Sequence, residues 1–374
     1  MKINKAKISV NEILNQNKPV AFILEKIFFV FFSLTRFLIK TSKSENDNDN
    51  VTVISLHRLG DTIFTLPAII EIQKHYRRMI NIVCFPESEY IYNFALSDVR
   101  FCLLRKDDFS WNGRLAGHSA RSKLKELHSD IIFDLTGSLV SASLIFNSSA
   151  NTIVGINGNL FKSIYTKFVE FRQTPQLKEI YLDAISPLVS PAETKISRQF
   201  KNSNPNGKIV IHPFAGWKEK EWNLKKYISL AEKLKKLHPV SFIIMGDELP
   251  IDVKEEIKYS GIEIIESESV DHLIRVINAC SIFIGNDSGP VNIANYLGKP
   301  TFTIFGSTNP EYTSTGNEYQ QFIIKNLSCS AGNNEKVCLI GGAVYKCSGT
   351  QCMNLLTVED VFDKISILIS SYLN

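Results

Sequence analysis

Hydrophobic and polar positions fall along this chain in long blocks. Over 22–40 nearly every residue is apolar, yet Glu25, Lys26, Ser33, Arg36 and Lys40 interrupt the run. At about 100° per residue these five fall within one arc of roughly 100°, while Ile27, Phe28, Val30, Phe31, Leu34 and Leu38 occupy much of the remaining circumference. The pattern predicts an amphipathic helix with a wide apolar face. Its longest charge-free stretch, 27–35, covers less than half of a bilayer core at about 1.5 Å per residue. Such a helix suits a membrane interface, or a place on the protein's own core, and is too short to span. Residues 44–50 (SENDNDN) then form a polar linker with no apolar anchor, and the folded body is expected to begin at Val51.

From Val51 onward, short apolar runs alternate with longer amphipathic ones. Residues 51–57 (VTVISLH), 80–85 and 130–135 (DIIFDL) read as buried strands, with a helix over about 62–77 between the first two. A polar, Pro-containing stretch, 200–207 (FKNSNPNG), breaks the pattern and a second series starts. Its strands are expected at 208–212, 240–245, 282–285 and 301–305, with helices over about 224–237 and 290–297, and 358–373 closes the chain as an amphipathic helix. A βαβ rhythm implies parallel sheets covered on both faces. The expected architecture is α/β: two Rossmann-like, doubly wound domains, 51–200 and 207–374, facing a cleft, preceded by a membrane-surface helix and linker over 1–50.

Composition agrees. The chain has 374 residues, 44% of them hydrophobic and 21% charged, enough to bury two cores. The net charge of +4 is uneven, since 1–43 holds eight Lys or Arg against two Glu and everything after sums to −2. Positive charge beside a greasy segment favours a membrane surface over nucleic acid. Seven Cys in a chain of this length do not make a disulfide scaffold, and no small-residue cleavage site follows the apolar run, so a reducing cytoplasm is expected. Cys329, Cys338, Cys347 and Cys352 cluster, but their spacing is wider than that of the usual zinc pairs and favours buried thiols or an occasional disulfide.

Several chemistries lack their motif. After the first strand the chain reads His57, Arg58, Leu59, Gly60, Asp61, which is not the glycine-rich turn of a dinucleotide-binding fold; phosphate-loop, nucleophile-elbow and metalloprotease patterns are also missing. Three loops stand out instead, each after a strand and before a helix, where open α/β sheets bind ligands. In the first, 57–67 (HRLGDTIFTLP), Gly60 permits a tight turn and Asp61 falls at or just before the helix start, either as an N-cap or as a functional carboxylate. In the second, 212–222 (HPFAGWKEKEW), Ala215 and Gly216 precede Lys220, which is either a solvated lysine or an anion ligand. In the third, 285–294 (GNDSGPVNIA), Asp287, Ser288 and Gly289 open a helix whose free amides can hold a phosphate. Asp247 and Glu248, after the strand at 240–245, could accept from ribose hydroxyls.

Together, LGD-T-x-x-T-LPA, HP-x-A-x-x-x-x-K-x-W and ND-[ST]-G-x-x-x-x-A-x-x-LGKP-x-x-x-x-FG-x-T-x-P, with CMNLLTVEDV at 352–361, resemble the ADP-heptose:lipopolysaccharide heptosyltransferase family (glycosyltransferase family 9). The resemblance covers 51–374 and implies an inverting glycosyltransferase of GT-B fold. It implies Asp61 as catalytic base on an acceptor hydroxyl. It implies Lys220 as the cation that meets the leaving diphosphate, and Asp287, Ser288 and Gly289 against the donor's phosphates and sugar. No metal or other cofactor is implied, the nucleotide-sugar donor being a substrate. Many heptosyltransferases carry His five residues after the Asp of D-[ST]-G; here Asn292 stands there and cannot become cationic. The implied role is transfer of a heptose-like sugar to lipopolysaccharide or another lipid-linked glycan, by a cytoplasmic enzyme peripheral on the inner face of the cytoplasmic membrane. Two alternatives remain at this stage: a UDP- or GDP-hexose donor on the same fold, or a catalytically silent homologue that binds nucleotide sugar or membrane.

Overall fold

The computed structural model describes residues 27, 30, 31, 34 and 35 and, from 49 to 373, all but 112, 114, 158–161, 171–175, 192–203, 247, 248, 316, 318, 328–338, 341, 342 and 345–348. The helix expected over 22–40 therefore lies mostly outside the described residues, as do Asp247, Glu248, Cys329, Cys338 and Cys347. Two compact units divide at Thr194 and Lys195.

The first unit runs β1 (Val51–Ser55), α1 (Leu59–Tyr76), β2 (Ile80–Cys84), α2 (Pro86–Ala95), β3 (Val99–Leu103), a hairpin of β4 (Phe109–Ser110) and β5 (Leu115–Ala116), then α3 (His118–Lys125), β6 (Ile131–Asp134), α4 (Leu139–Ile145), β7 (Thr152–Asn157), β8 (Lys167–Glu170) and α5 (Leu177–Ile185). Its six-stranded sheet has the order β3-β2-β1-β6-β7-β8, parallel throughout. In register, Val53 lies between Ile82 and Phe133. All five residues of β1 are buried, because helices cover both faces of a parallel sheet. The polar members are partnered: Thr52 Oγ1 lies 2.6 Å from Ser129 Oγ, and Ser55 Oγ 2.6 Å from Tyr92 Oη.

The second unit runs β9 (Ile209–His212), α6 (Leu224–Lys235), β10 (Val240–Met245), α7 (Ile251–Tyr259), β11 (Glu263–Ser267), α8 (Val270–Ala279), β12 (Ile282–Asn286), α9 (Gly289–Tyr296), β13 (Thr301–Phe305), β14 (Gln320–Ile324), α10 (Gln351–Asn354) and α11 (Val358–Tyr372). Its sheet, β11-β10-β9-β12-β13-β14, is again six-stranded and parallel. Gly285 on β12 is required by close packing. A Cβ there would come within 2.8 Å of the His212 carbonyl oxygen and 2.9 Å of Val291 Cγ2, so only glycine lets β12 sit against both β9 and α9. The closing helix α11 starts on a capping box in which Thr357 Oγ1 accepts from the Asp360 amide at 3.0 Å and Asp360 accepts from the Thr357 amide at 3.1 Å. Its Val361, Ile365, Leu368 and Ile369 enter the same core as β9, β10 and α6.

One local expectation is corrected. The helix after β1 begins at Leu59, three residues before the predicted start, with Arg58 as its N-cap. Gly60 therefore lies inside the first turn and makes no tight turn, and Asp61 is the third helical residue and no N-cap. A carboxylate is favourable there without capping anything, because the helix's free amides make that end positive.

Candidate functional site

In an open parallel sheet the loops that leave two neighbouring strands part to opposite faces where the strand order reverses, and a crevice opens at the carboxyl ends. That reversal falls between β1 and β6 in the first unit and between β9 and β12 in the second. All three loops singled out in the sequence leave strands at these points.

In the first unit, Asp61 stands exposed in the first turn of α1, just past the end of β1. His57 lies behind it. The His57 Nε2 is 3.0 Å from the Leu135 carbonyl oxygen, which can only accept, so Nε2 carries the proton. Burial lowers the His57 pKa below the ordinary value, opposed in part by the Asp61 carboxylate, the Leu135 bond and Asp134. The ring meets Tyr181 of α5 edge-on at 5.2 Å. Burial thus favours the uncharged form of the imidazole beside Asp61.

Asp134, which ends β6, was not expected. It is fully buried and accepts from the Thr136 amide at 2.9 Å, the Gly137 amide at 3.2 Å and Tyr165 Oη at 2.8 Å. Burial pushes its pKa up, and these donors pull against that. Thr136 Oγ1 in turn accepts from the Leu56 amide at 2.9 Å, so the loop after β6 is tied to the end of β1 and the crevice wall is fixed. An internal, hydrogen-bonded carboxylate with this many partners shapes the turn.

In the second unit the structure brings Lys220 and Asp287 together. Lys220 Nζ lies 2.6 Å from Asp287 Oδ2, and the two side chains are only 16% and 6% exposed. The same oxygen accepts from Thr308 Oγ1 at 2.7 Å. Trp217 places its ring 4.7 Å below the Lys220 ammonium. Lys220 closes a short 3-10 turn, Lys218–Lys220, in the loop after β9. Asp287 follows β12, and Ser288 is the N-cap residue of α9, whose first residue is Gly289. Asn292 is buried one turn in, its amide bonded to the Ser288 carbonyl at 3.1 Å. Ala215 and Gly216 sit at the mouth of the loop. The Ala215 amide is turned to Glu221 Oε1 at 3.2 Å, and Gly216 is exposed.

Asn286 holds this arrangement, although it stands in the ND-[ST]-G motif with no role attached. Its Oδ1 accepts from the Trp222 amide and from Tyr227 Oη, both at 2.9 Å, and its Nδ2 donates to the Pro213 carbonyl at 2.6 Å. It thus locks the loop after β9 to the residue that precedes Asp287. Trp222 is anchored a second time by its indole N–H on the Leu356 carbonyl at 3.1 Å. Beside Asp287, the buried hydroxyls of Ser288 and Ser307 have no hydrogen-bond partner among the described residues. An ammonium, two available hydroxyls and the amino end of a helix are the donors that an anion such as a phosphate takes. Among the described residues no group of three or more His, Cys, Asp or Glu is placed to hold a metal.

Comparison with known proteins bears out the resemblance drawn from the motifs. Residues 164–342 match the model of glycosyltransferase family 9 (heptosyltransferase). Lys220, Asp287, Ser288 and Gly289 lie within that match and Asp61 lies before it. Lipooligosaccharide heptosyltransferase 2 of Campylobacter jejuni is 24% identical over 293 residues, covering 72% of this chain and 85% of that protein. Among solved structures, the ADP-heptose lps heptosyltransferase II of E. coli superposes with a TM-score of 0.65 at 14% identity, over 86% of this chain and 99% of that one. The E. coli heptosyltransferase WaaC with ADP superposes with a TM-score of 0.63 at 17% identity, over 87% and 99%. These likenesses establish the GT-B fold.

Proposed function

We propose, for a chain that carries a glycosyltransferase family 9 domain and is a glycosyltransferase of GT-B fold, that it transfers a heptose from an ADP-linked donor to a lipopolysaccharide acceptor, with inversion and without a bound metal. The observation that carries this reading is the meeting of Lys220, Asp287 and Thr308 at the amino end of α9, at the switch point of the second sheet. When the glycosidic bond breaks, negative charge accumulates on the leaving diphosphate. Lysine has three N–H donors, and Asp287 takes one, so two remain for phosphate oxygens. The α9 amides and the Ser288 and Ser307 hydroxyls add donors in a partly dry site, where each counts for more than in water.

Asp61 supplies the other half of the chemistry. Its exposed carboxylate can take the proton of the acceptor hydroxyl as that oxygen attacks the anomeric carbon. A single displacement by an activated hydroxyl inverts the anomeric centre. The ADP nucleotide is proposed from structural neighbours: the E. coli heptosyltransferase WaaC was solved with ADP, and another E. coli enzyme is described as an ADP-heptose lps heptosyltransferase. A thermal-shift panel of ADP-, UDP-, GDP- and CMP-sugars tests the choice. A ligand at 100 times its Kd stabilises by about 2.7 kcal/mol, so ADP-heptose should raise Tm by several degrees and the others should not. Stabilisation by a UDP- or GDP-hexose instead would replace the donor.

The acceptor's lipid suggests a membrane-side enzyme. Ile27, Val30, Phe31 and Leu34 are helical, share one helical face by their spacing, and are 57%, 55%, 50% and 58% exposed. That face, with the basic residues of 1–43, suits an anionic membrane interface on the cytoplasmic side. Removing 1–43 should abolish co-sedimentation with vesicles of anionic phospholipid and leave a folded body. Undiminished co-sedimentation of the shortened chain would dismiss the anchor.

A further inference from the structure

We propose that Thr308 is a positioning residue for the transfer reaction: through Asp287 it fixes where the Lys220 ammonium stands. The inference rests on the donor role proposed for Lys220. A lysine ammonium rides on a flexible four-carbon stem and selects no direction by itself. Here it is held from two sides, by the Trp217 ring at 4.7 Å and by Asp287 Oδ2 at 2.6 Å. Asp287 can hold it in place only if the carboxylate is itself fixed. Thr308 does this from a third loop, donating its hydroxyl to the same oxygen at 2.7 Å.

The loop that carries Thr308 is firmly seated. It follows β13, and at Gly306 a Cβ would lie 2.6 Å from Met353 Sδ and 3.2 Å from Cys352 Sγ, so the backbone there rests directly on α10. Thr308 itself is buried. The chain of contact thus runs from α10 through the 306–308 loop to Asp287 and then to Lys220. A hydroxyl that bonds a charged carboxylate is worth more than an ordinary side-chain bond, and here its worth is spent on direction. With Asp287 held, the two remaining N–H donors of Lys220 keep a fixed heading. A displacement of a charged group by about 1 Å can slow an enzyme on the order of 10²-fold.

Thr308→Val keeps the shape and removes the donor; Thr308→Ser keeps the donor. Two readouts are taken on the full-length protein. The first is kcat/KM for ADP release from ADP-heptose with a heptose-deficient lipopolysaccharide acceptor. The second is the rate at which an N-hydroxysuccinimide ester acylates Lys220, followed by peptide mass spectrometry, which needs no donor. Thr308→Val should lower kcat/KM by about 10- to 100-fold and raise Lys220 acylation several-fold, while Thr308→Ser stays within about threefold of wild type in both. In a Lys220→Ala background, Thr308→Val should cost little more, because the residue it acts through is gone. An unchanged kcat/KM in Thr308→Val overturns the proposal, as does a full additional loss in the Lys220→Ala background. If the wild-type protein releases no ADP from ADP-heptose, the donor reading fails on its own, and unchanged acylation in Thr308→Val then overturns the positioning role separately.

Discussion

Asp61→Asn is expected to lower kcat by about 10² to 10⁴ while donor affinity and Tm stay close to wild type. The amide keeps the size and the polarity of the carboxylate at the third residue of α1 but cannot accept a proton at neutral pH. Its structural cost is small for two reasons found in the fold. Asp61 is exposed, and the N-cap position belongs to Arg58, so no capping bond depends on the Asp61 side chain. What is lost is a charge near the positive end of a helix, worth about 0.3 to 1 kcal/mol, or a few degrees at most. Stopped-flow or steady-state ADP release, read beside a thermal melt, separates the outcomes. A near-wild-type rate would move the base elsewhere, and unfolding would make Asp61 structural.

Lys220→Ala is the second large effect. Loss of the cation proposed to meet the leaving diphosphate should cost about 2 to 4 kcal/mol of transition-state stabilisation, a fall of roughly 30- to 1000-fold in kcat/KM. This variant also leaves Asp287 buried with only the Thr308 hydroxyl bonded to Oδ2, and an uncompensated, mostly buried carboxylate destabilises by about 1 to 3 kcal/mol. The two costs are separable. Adding Asp287→Asn removes the orphaned charge, so the double variant should recover stability relative to Lys220→Ala and recover no activity. Recovery of activity in the double variant would mean that Lys220 serves only to neutralise Asp287.

The parts of the fold that were legible from sequence are those buried on both sides. Strands β1, β2, β6, β9, β10, β12 and β13 are interior to their two sheets and read as mostly apolar runs, which is why 240–245 and 301–305 agree to the residue. Edge strands were missed because one face or rim is wet. Arg100 interrupts β3, Glu263 and Glu266 flank the apolar pair in β11, and β14 begins with two glutamines. β7 is interior but is broken by Gly155, against which the Tyr165 ring packs.

At the site, the loops were legible and their pairing was not. Lys220 and Asp287 occupy strand-to-helix loops that motifs mark, and Asp61 the first turn of the helix after such a loop, but Lys220 and Asp287 are 67 residues apart, and no local pattern announces that they form an ion pair. Thr308 stood inside a motif with no role attached, since its partner is set by the packing of Gly306 on Met353. Asn286 opens the ND-[ST]-G motif without a stated role, and only the fold shows its three bonds to Trp222, Tyr227 and Pro213. The misplaced start of α1 has a similar cause. Gly60 argues locally for a turn, and the burial of Ile63, Phe64 and Leu66 against the sheet carries the helix through it.

The central claim is inverting heptose transfer from an ADP-linked donor, and the anomeric configuration of the product tests it most directly. Wild-type protein incubated with ADP-heptose of known anomeric configuration and a heptose-deficient lipopolysaccharide should release one ADP per sugar transferred. NMR of the isolated glycan should then show the opposite anomer in the new linkage. Retention of configuration, or no transfer from ADP-heptose while another nucleotide sugar is consumed, would contradict the account.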